Sequence, residues 1–457
     1  MEFRHSKASK ASGLKVGGAR RQGEIDPSFG SNGTFDVTIG GYPTPVPNEI
    51  GAVRALARVH DGNILLALGA KDEHWQYALA RLTPDGALDT TFGQEGENGK
   101  TGFVVGALPI DLSMNGSQAW PAPDRSTVLV VTSQYGGMWT LVRHTPDGSL
   151  DTAFGTYGYV NLDAIRPAGE PSVVRGFVVP GPGHDFFFVG STKDADGNYA
   201  GGIVFRFDAS GRLNPGFAGK GYVFVDVPLR PAGRITDAVV QGDGKIVLST
   251  ATTSGNGRIV RLLPTGEPDP GFGTNGVFVV AGDSADRNEI EKLAWSKEAG
   301  LWGVGTIMTR KPLVGLLVAL DDSGTIPASF NGGRLLEIDY GSTGHNDGIG
   351  IPLHLQTSAD GGVMVVGSPY SDGSTASRKA LVGKHLPSGA LDPSFGHTDD
   401  SGTPQGFYTV DLAREGYNFI FFGVDLTEDH VVFEILNGDG GGGTNPDRLT
   451  VESYFAT

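Results

Sequence analysis

The clearest candidate for metal chemistry is the stretch Asp194-Ala195-Asp196-Gly197-Asn198, where oxygen-bearing side chains alternate around a glycine. Alternating carboxylate and amide oxygens of this kind form the first half of a helical calcium loop. The bidentate glutamate that would complete such a loop is missing, and Asp-Gly-Asn is equally typical of a hairpin turn. Two interpretations stay open, a calcium site at Asp194, Asp196 and Asn198 or an ordinary turn.

A second candidate site consists of polar residues on strands that we expect to line a central channel. These residues are Arg54, Arg175, Asp237, Glu291 and His354. Polar side chains that converge on one channel could bind a polar small molecule. The alternative is that such side chains simply face the water in the channel.

The sequence contains no strong catalytic motif, so the catalytic residues of any activity stay unknown. G-x-S-x-G, H-E-x-x-H and Walker sequences are all missing. There is no cysteine, which excludes both a thiolate site and a disulfide framework. No cofactor is expected, with calcium as the exception left open above.

The charge distribution bears on the kind of partner. The formal net charge is −16, and residues 1–22 carry a local +5, which leaves −21 for residues 23–457. Such an acidic body disfavours a nucleic-acid groove. No run of about 18 apolar residues is present, so no membrane span is expected. We interpret residues 1–22 as a disordered basic tail or an expression remnant without an intact signal peptide.

A motif that recurs along almost the full chain organises the rest of the sequence. Residues 85–93, with the sequence DGALDTTFG, form one of seven copies. The phenylalanines that anchor the copies are Phe29, Phe92, Phe154, Phe217, Phe272, Phe330 and Phe395. Successive anchors lie 55 to 65 residues apart, and a near-constant step of this size indicates a repeat architecture.

Each repeat unit is expected to contain four short strands. Between the first two anchors, the pattern predicts strands at residues 34–38, 53–59, 64–68 and 76–82. The runs that match 64–68 in other units are almost wholly apolar, which is typical of strands buried on both faces. We therefore predict an all-β fold, a seven-bladed β-propeller with four-stranded blades formed by residues 23–457.

The two ends of the array are expected to interlock. A lone strand at residues 34–38 follows the first anchor, and no anchor follows the last strands of the chain. We predict that this N-terminal strand completes the last blade, which removes a free edge. The anchor phenylalanines should fill the gaps between blades, and the acidic residue three positions earlier should brace the turn.

These residues resemble the delta-60 repeat family of bacterial proteins, whose units are built on a G-x-L-D-x-x-F-G core. The resemblance covers residues 23–457 and implies a propeller in an exported or surface-associated bacterial protein, without a general biochemical assignment. Three copies depart from the pattern, with Pro268 for leucine, Asn214 for aspartate, and Ile326-Pro327 without the acid. We expect those blades to be packed differently.

The fold and the missing motifs favour a non-catalytic binding platform that recognises a glycan or protein partner through loops on one face or at the channel mouth. Aromatic residues that could stack on sugar rings are Trp75, Tyr135, Trp139, Tyr199 and Tyr370. One alternative is a metal-assisted hydrolase or lyase at the channel mouth, and a weaker one is a component of a toxin or secretion assembly. The oligomeric state stays open.

Overall fold

The chain forms seven four-stranded antiparallel sheets arranged as the blades of a β-propeller, which confirms the predicted fold. The computed structural model describes residues 22–36, 55–59, 61–71, 75–96, 99–106, 114–133, 139–166, 170–225, 233–252, 255–282, 286–310, 313–338, 340, 349–369, 379–398, 405–411, 418–427, 430–438 and 448–456. Arg54 lies outside these residues, as do residues 1–21 of the N-terminal tail.

In blades 1 to 6 the four strands follow one another in the chain from the channel outward. In blades 1 to 4 the strands are Ala55–Arg58, Ile64–Lys71, Trp75–Leu82 and Phe103–Gly106; Met114–Pro121, Thr127–Ser133, Trp139–His144 and Tyr159–Asn161; Ser172–Pro180, Phe186–Lys193, Tyr199–Phe207 and Tyr222–Val225; Gly233–Val240, Ile246–Thr252, Arg258–Leu262 and Val277–Val279. In blades 5 and 6 they are Asn288–Ser296, Gly300–Ile307, Val314–Leu320 and Leu336–Ile338; Ile349–Thr357, Val363–Pro369, Lys379–His385 and Phe407–Asp411.

Blade 7 joins the two ends of the chain, as the sequence predicted. Its inner three strands are Asn418–Leu426, His430–Gly438 and Arg448–Phe455, and the N-terminal strand Thr34–Asp36 pairs with the third of them. Phe35 lies opposite Val451 in this pairing. The N-terminal strand therefore covers an edge that would otherwise be unpaired.

In the part of the chain that the structure describes, little regular structure lies outside the blades. The described residues contain one helical turn, Leu162–Ile165, and a two-stranded hairpin of Glu95–Gly96 with Gly99–Lys100. No helix in this part of the chain has the length and hydropathy to cross a membrane.

The anchor phenylalanines fill the spaces between the blades, which confirms the predicted role of the motif. Each is at most 6% exposed. Seven apolar clusters each contain one anchor and residues of two neighbouring blades. Phe92, for example, packs with Leu65 of blade 1 and Leu129 of blade 2. Burial of side chains this large contributes about 2 to 3 kcal/mol each.

Hydrogen bonds also link each motif copy to the next around the ring. The residue after the anchor donates its N–H to a turn carbonyl of the following copy, as Gly93 does to Asp147 at 2.9 Å. At the closure, Gly396 donates instead to the side chain of Gln22 at 2.8 Å, and Gly23 donates to Phe455 at 2.9 Å. The first motif copy thus completes the circle of contacts.

Candidate functional site

The inner strands of neighbouring blades contact one another around the central channel, and a β-bulge shapes most of them. Register shifts occur at a matching point in the first strands of blades 2 to 7, and blade 6 has a second shift between Ile349 and Ile351. A bulge inserts one extra residue and redirects the side chains beside it. The residues directly after the bulges are Gln118, Arg175, Asp237, Lys292, His354 and Gly423.

Three of the five predicted channel residues share this position, namely Arg175, Asp237 and His354. Glu291 is instead the extra residue of the bulge in blade 5. Lys292 therefore takes the position in blade 5 that Arg175, Asp237 and His354 take in their blades. Sequence reasoning missed Lys292, because the position of a bulge decides which of two neighbouring residues takes this place. No signal in the sequence marks that position.

Several polar side chains in the channel connect one blade to the next. The Oε1 atom of Gln118 accepts the N–H of Val178 at 2.5 Å, and its Nε2 atom donates to the Val178 carbonyl at 3.2 Å. The Oδ2 atom of Asp237 accepts the N–H of Leu293 at 2.8 Å. These bonds satisfy backbone groups of blades 3 and 5, so Gln118 and Asp237 already serve the framework.

Two ion pairs have the same bridging role. Arg234 of blade 4 contacts Glu291 of blade 5 at 3.0 Å. Arg58 of blade 1 contacts Asp425 of blade 7 at 2.6 Å, across the place where the ring closes. Both pairs are partly shielded from water, which weakens screening by salt.

Arg175 and Lys292 differ from these side chains because, in the described structure, they do not connect one blade to the next. Within the described residues, neither side chain makes a hydrogen bond or an ion pair. Arg175 is exposed and Lys292 is half-buried. The charge of Lys292 acts on residues of both adjacent blades, Asp237 and His354. Among the described residues, the channel therefore holds two cations without a direct carboxylate partner.

The surroundings shift the pKa values of both neighbours of Lys292. Burial raises the pKa of the Asp237 carboxyl, and the Lys292 charge acts against that rise. Burial lowers the pKa of His354 to about 4, with the Lys292 charge adding to the effect and Asp425 opposing it. Asp237 and His354 are both half-buried, so their pKa shifts reflect depth within the ring rather than full removal from solvent.

These shifts predict that the protein loses stability as the pH falls from about 6.5 toward 4. Unfolded His354 takes up a proton near its ordinary pKa, whereas folded His354 stays neutral down to about 4. The unfolded state then binds more protons, which costs up to about 1.4 kcal/mol per pH unit. In urea unfolding measured between pH 6.5 and 4, the free energy of unfolding should fall less steeply with pH for His354→Gln than for the parent protein.

A matched control for this measurement is the exposed His184, changed to glutamine. His184→Gln should change the pH dependence less than His354→Gln does, because His184 is exposed. The buried His144 and His385, whose pKa values burial also lowers, are present in all three proteins and cancel in the comparison. If His354→Gln and the parent lose stability in parallel, His354 does not carry this effect.

The repeated acidic residues of the motif act as structural braces. Asp89 accepts the N–H and the hydroxyl of Thr91 through Oδ1, at 2.9 and 2.7 Å. Its Oδ2 atom accepts Nε of Arg81 at 2.7 Å. Arg81 reaches on to the Pro146 carbonyl of blade 2 at 2.7 Å and lies 4.5 Å above the Phe92 ring. The brace therefore ties the motif, its blade and the next blade together.

Blade 3 shows that the carboxylate of the brace can come from either of two positions, the motif or the first hairpin of the blade. In blade 1 the motif supplies Asp89, and the first hairpin supplies Asn63, whose Nδ2 atom lies 3.0 Å from Asp89. In blade 3 the motif supplies Asn214, and the hairpin supplies Asp185, which accepts both Arg206 and Asn214 at 2.9 Å. The exchange explains why Asn214 departs from the motif without loss of the brace.

The candidate calcium residues form the hairpin between the second and third strands of blade 3. Oδ1 of Asp194 accepts the N–H groups of Asp196 and Asn198 at 3.0 and 2.9 Å. Gly197 takes a φ of 81°, as such a turn requires. In the described part of the chain, no three acidic or histidine residues group as metal ligands would. The turn accounts for these residues, and calcium binding at Asp194, Asp196 and Asn198 stays a prediction.

The aromatic residues proposed for sugar stacking lie in different environments. Trp139 is buried and donates Nε1–H to the Val173 carbonyl at 3.0 Å, so it belongs to the core. Tyr199 is half-buried, with Lys193 Nζ lying 5.2 Å from its ring centre. Tyr135, Tyr370 and the side chain of Trp75 lie outside the described residues.

Similarity to solved structures extends over most of the chain at low identity. Polysaccharide lyase Uly1 shares 11% identity over 92% of this chain and 94% of that chain, with a TM-score of 0.49. YCF48 from Cyanidioschyzon merolae shares 12% over 90% and 97%, with a TM-score of 0.47. Drosophila Semaphorin 1b, extracellular domains 1-2, shares 10% over 95% and 87%, with a TM-score of 0.47. We draw no functional conclusion from these similarities.

The sequence matches no curated protein. Residues 74–92 and 241–272 match a family described as domain of unknown function (DUF5122) beta-propeller. Both segments contain strands of the blades, and the second ends at the anchor Phe272. This match supports similarity to a β-propeller family, whereas the delta-60 name stays an expectation.

Proposed function

We propose that this protein is a non-catalytic binding platform whose partner is an acidic glycan, bound at the central channel. The observation that supports this proposal is the pair of cations, Arg175 and Lys292, that lack partners in the described structure. A carboxylated sugar would supply the missing negative charge, and charge-assisted hydrogen bonds to carboxylates are among the stronger polar contacts.

The acidic composition of the chain makes these two cations more informative. The sequence has 51 acidic and 35 basic residues, so carboxylates are available to pair with most cations. Arg58 and Arg234 do pair with carboxylates of adjacent blades, whereas Arg175 and Lys292 do not. Leaving cations unpaired in an acidic protein favours a site that an anionic ligand completes.

A binding role is favoured over catalysis because the acidic groups in the channel have other tasks. Asp237 accepts a backbone N–H of blade 5, and Asp425 pairs with Arg58. Burial lowers the pKa of His354 to about 4, which suits a neutral hydrogen-bonding group for a sugar hydroxyl. An exported or surface location, as the family resemblance implies, forms part of the same proposal.

The test is calorimetric binding of a trigalacturonate, with the neutral galactose trisaccharide as the matched ligand. Arg175→Gln and Lys292→Gln should each weaken binding of the acidic sugar about tenfold, the equivalent of one charge-assisted hydrogen bond. Arg125→Gln is the control variant, since Arg125 is an exposed cation on a blade 2 hairpin. That variant should bind as the parent does.

Other outcomes would reject the proposal in distinct ways. Equal affinity for the acidic and neutral sugars would remove the charge argument, and preference for a polyglutamate peptide would favour a protein partner. Release of shortened sugar that a chelator abolishes would favour the competing hypothesis of a metal-assisted hydrolase or lyase.

A further inference from the structure

An open cleft of about 830 Å³ lies between blades 4 and 5. It is bordered by residues that follow the outer strand of blade 4 and by the loop before the outer strand of blade 5. Its borders include Arg310, Asn331, Gly332, Arg334, Leu335 and Glu337. None of these belongs to the proposed channel site, so a ligand in the cleft would occupy a separate site.

The cleft occurs where one copy of the repeat lacks a glycine. In the other six copies a glycine after the anchor accepts a backbone N–H from the third strand of a blade, as Gly276 accepts from Arg261 at 2.9 Å. These glycines are Gly33, Gly102, Gly158, Gly221, Gly276 and Gly406, each with a φ between 80° and 97°. A Cβ atom on Gly221 would lie 2.7 Å from Leu213, so the loop there packs closely on its own motif.

Blade 5 has Arg334 in place of this glycine. Arg334 stands four residues after the anchor Phe330, the spacing that four of the six glycines have. In the part of blade 5 that the structure describes, no backbone hydrogen bond joins Arg334 to Ala319, its partner by position on the third strand. Pro327 takes the place of the motif acid and has no N–H for the Ala319 carbonyl. The loop is therefore not held against its own motif, which leaves the cleft open.

The loop presents accessible hydrogen-bonding groups to the cleft. Asn331 is exposed, and its Nδ2 atom donates to the Leu335 carbonyl at 2.8 Å. Its Oδ1 atom accepts no hydrogen bond from any residue that the structure describes. Gly332 is also exposed, and a Cβ atom on it would meet nothing within 4 Å. An amide oxygen and an open stretch of backbone are therefore within reach of a ligand.

The charged groups at the cleft are balanced in sign and accessible. Arg310 contacts Asp286 and Glu337 at 2.8 Å each, and the side chains of Arg310 and Glu337 are 36% and 53% exposed. Arg334 adds a second, exposed guanidinium. A ligand carboxylate would compete with the two carboxylates that engage Arg310, and a ligand cation would meet two arginines. A ligand rich in hydroxyl groups suits this arrangement, because a hydroxyl can donate to a carboxylate and accept from a guanidinium.

We propose that this cleft binds an uncharged saccharide through hydrogen bonds to Arg310, Asn331 and Glu337. Leu335 and Leu336 are half-buried at its border and provide an apolar contact for the C–H face of a sugar ring. The volume lies within the range of small-molecule sites, in which a few polar groups orient a ligand against apolar contacts. The inference is independent of the acidic glycan proposed for the channel, since the two sites differ in both residues and charge.

Methyl β-cellobioside and the same disaccharide with one hydroxymethyl group oxidised to a carboxylate provide a matched pair of probes. Ligand-observed NMR titration of the full chain should show saturable millimolar binding of the neutral probe. The double variant Arg175→Gln/Lys292→Gln, which lacks both channel cations, should bind the neutral probe as the parent does. The acidic probe should bind this double variant about tenfold more weakly than the neutral probe, because Asp286 and Glu337 oppose a third carboxylate.

Variants at the cleft locate the binding of the neutral probe. Glu337→Ala should weaken it about tenfold and Asn331→Gly about fivefold, the loss of a charged and of a neutral hydrogen-bond partner. Glycine at position 331 adopts the φ of 42° without strain. The controls are Glu298→Ala, at an exposed carboxylate of blade 5, and Asn275→Gly, at a blade 4 turn with a φ of 51°. Both controls should bind as the parent does.

Urea unfolding curves show whether each variant keeps the parent fold. The proposal is overturned if the neutral probe shows no saturable binding, if folded Glu337→Ala and Asn331→Gly both bind it as the parent does, or if the channel double variant loses it. Equal or tighter binding of the acidic probe by the channel double variant would overturn it as well. Trigalacturonate titration reports separately on the channel, so either proposal can fail without the other.

Discussion

Replacing Arg81 by methionine is expected to lower the free energy of unfolding by about 3 to 5 kcal/mol, the usual cost of removing one partner of a buried ion pair. Arg81 and Asp89 have side chains only 12% and 7% exposed. The substitution leaves the Asp89 carboxylate buried without its cation. It also removes the bond from Arg81 to the Pro146 carbonyl of blade 2.

A second substitution distinguishes the stability lost through the unpaired Asp89 charge from the stability lost through packing. Arg81→Met combined with Asp89→Asn leaves no unpaired charge, and the asparagine oxygen can still accept from Thr91. We expect the double variant to regain most of the lost stability. Urea unfolding of both proteins beside the exposed control Arg125→Met measures this. A double variant that is no more stable than Arg81→Met would show that the charge of Asp89 is unimportant.

Blade 5 supplies a natural precedent for losing both partners together. Ala319 takes the place of the cation, and Pro327 takes the place of the acid. Trp302 lies opposite Ala319 on the neighbouring strand and meets the Phe330 ring edge-on at 5.4 Å. In blade 1 the Arg81 guanidinium covers the equivalent ring. An aromatic contact thus replaces the ion pair without leaving a buried charge.

The architecture could be predicted from the sequence because its determinants are local and repeated. Each copy carries its own turn glycine and anchor phenylalanine, so seven observations supported one interpretation. Closure by the N-terminal strand followed from counting motifs against strands. Of the three departing copies, the one at Ile326-Pro327 marked a blade that is packed differently, since Trp302 contacts its anchor ring. Blades 3 and 4 keep the arginine–carboxylate brace despite their departures.

The residues of the candidate site could be predicted only in part, because their positions depend on contacts between blades. Arg175, Asp237 and His354 were found from their places on the inner strands. Lys292 was missed in favour of Glu291 because the exact place of the bulge decides which of these two neighbouring residues takes the position shared with the other blades. The bridging role of Asp237 depends on Leu293, 56 residues later, and no local pattern reports that contact.

Replacing Phe29 by alanine is expected to cost about 3 to 5 kcal/mol and to loosen the joint between blades 7 and 1. Phe29 is 2% exposed and packs with Leu66 of blade 1 and Val451 of blade 7. The cavity therefore opens beside the N-terminal strand. Hydrogen exchange should become faster at Asp26, whose N–H donates to the Ser453 carbonyl at 2.8 Å.

The comparison with Phe272→Ala tests whether faster exchange at the joint between blades 7 and 1 is specific to the loss of Phe29. Phe272 makes an equivalent buried contact between blades 4 and 5, but both of those blades are formed from continuous chain. Similar loss of stability is expected, with faster exchange at Asp26 only in Phe29→Ala. Ile25→Ala, at a position 36% exposed, controls for truncation within the same segment. If Ile25→Ala and Phe29→Ala lose equal stability, the anchor does not hold the ring closed, because the exposed side chain fills no cavity between blades.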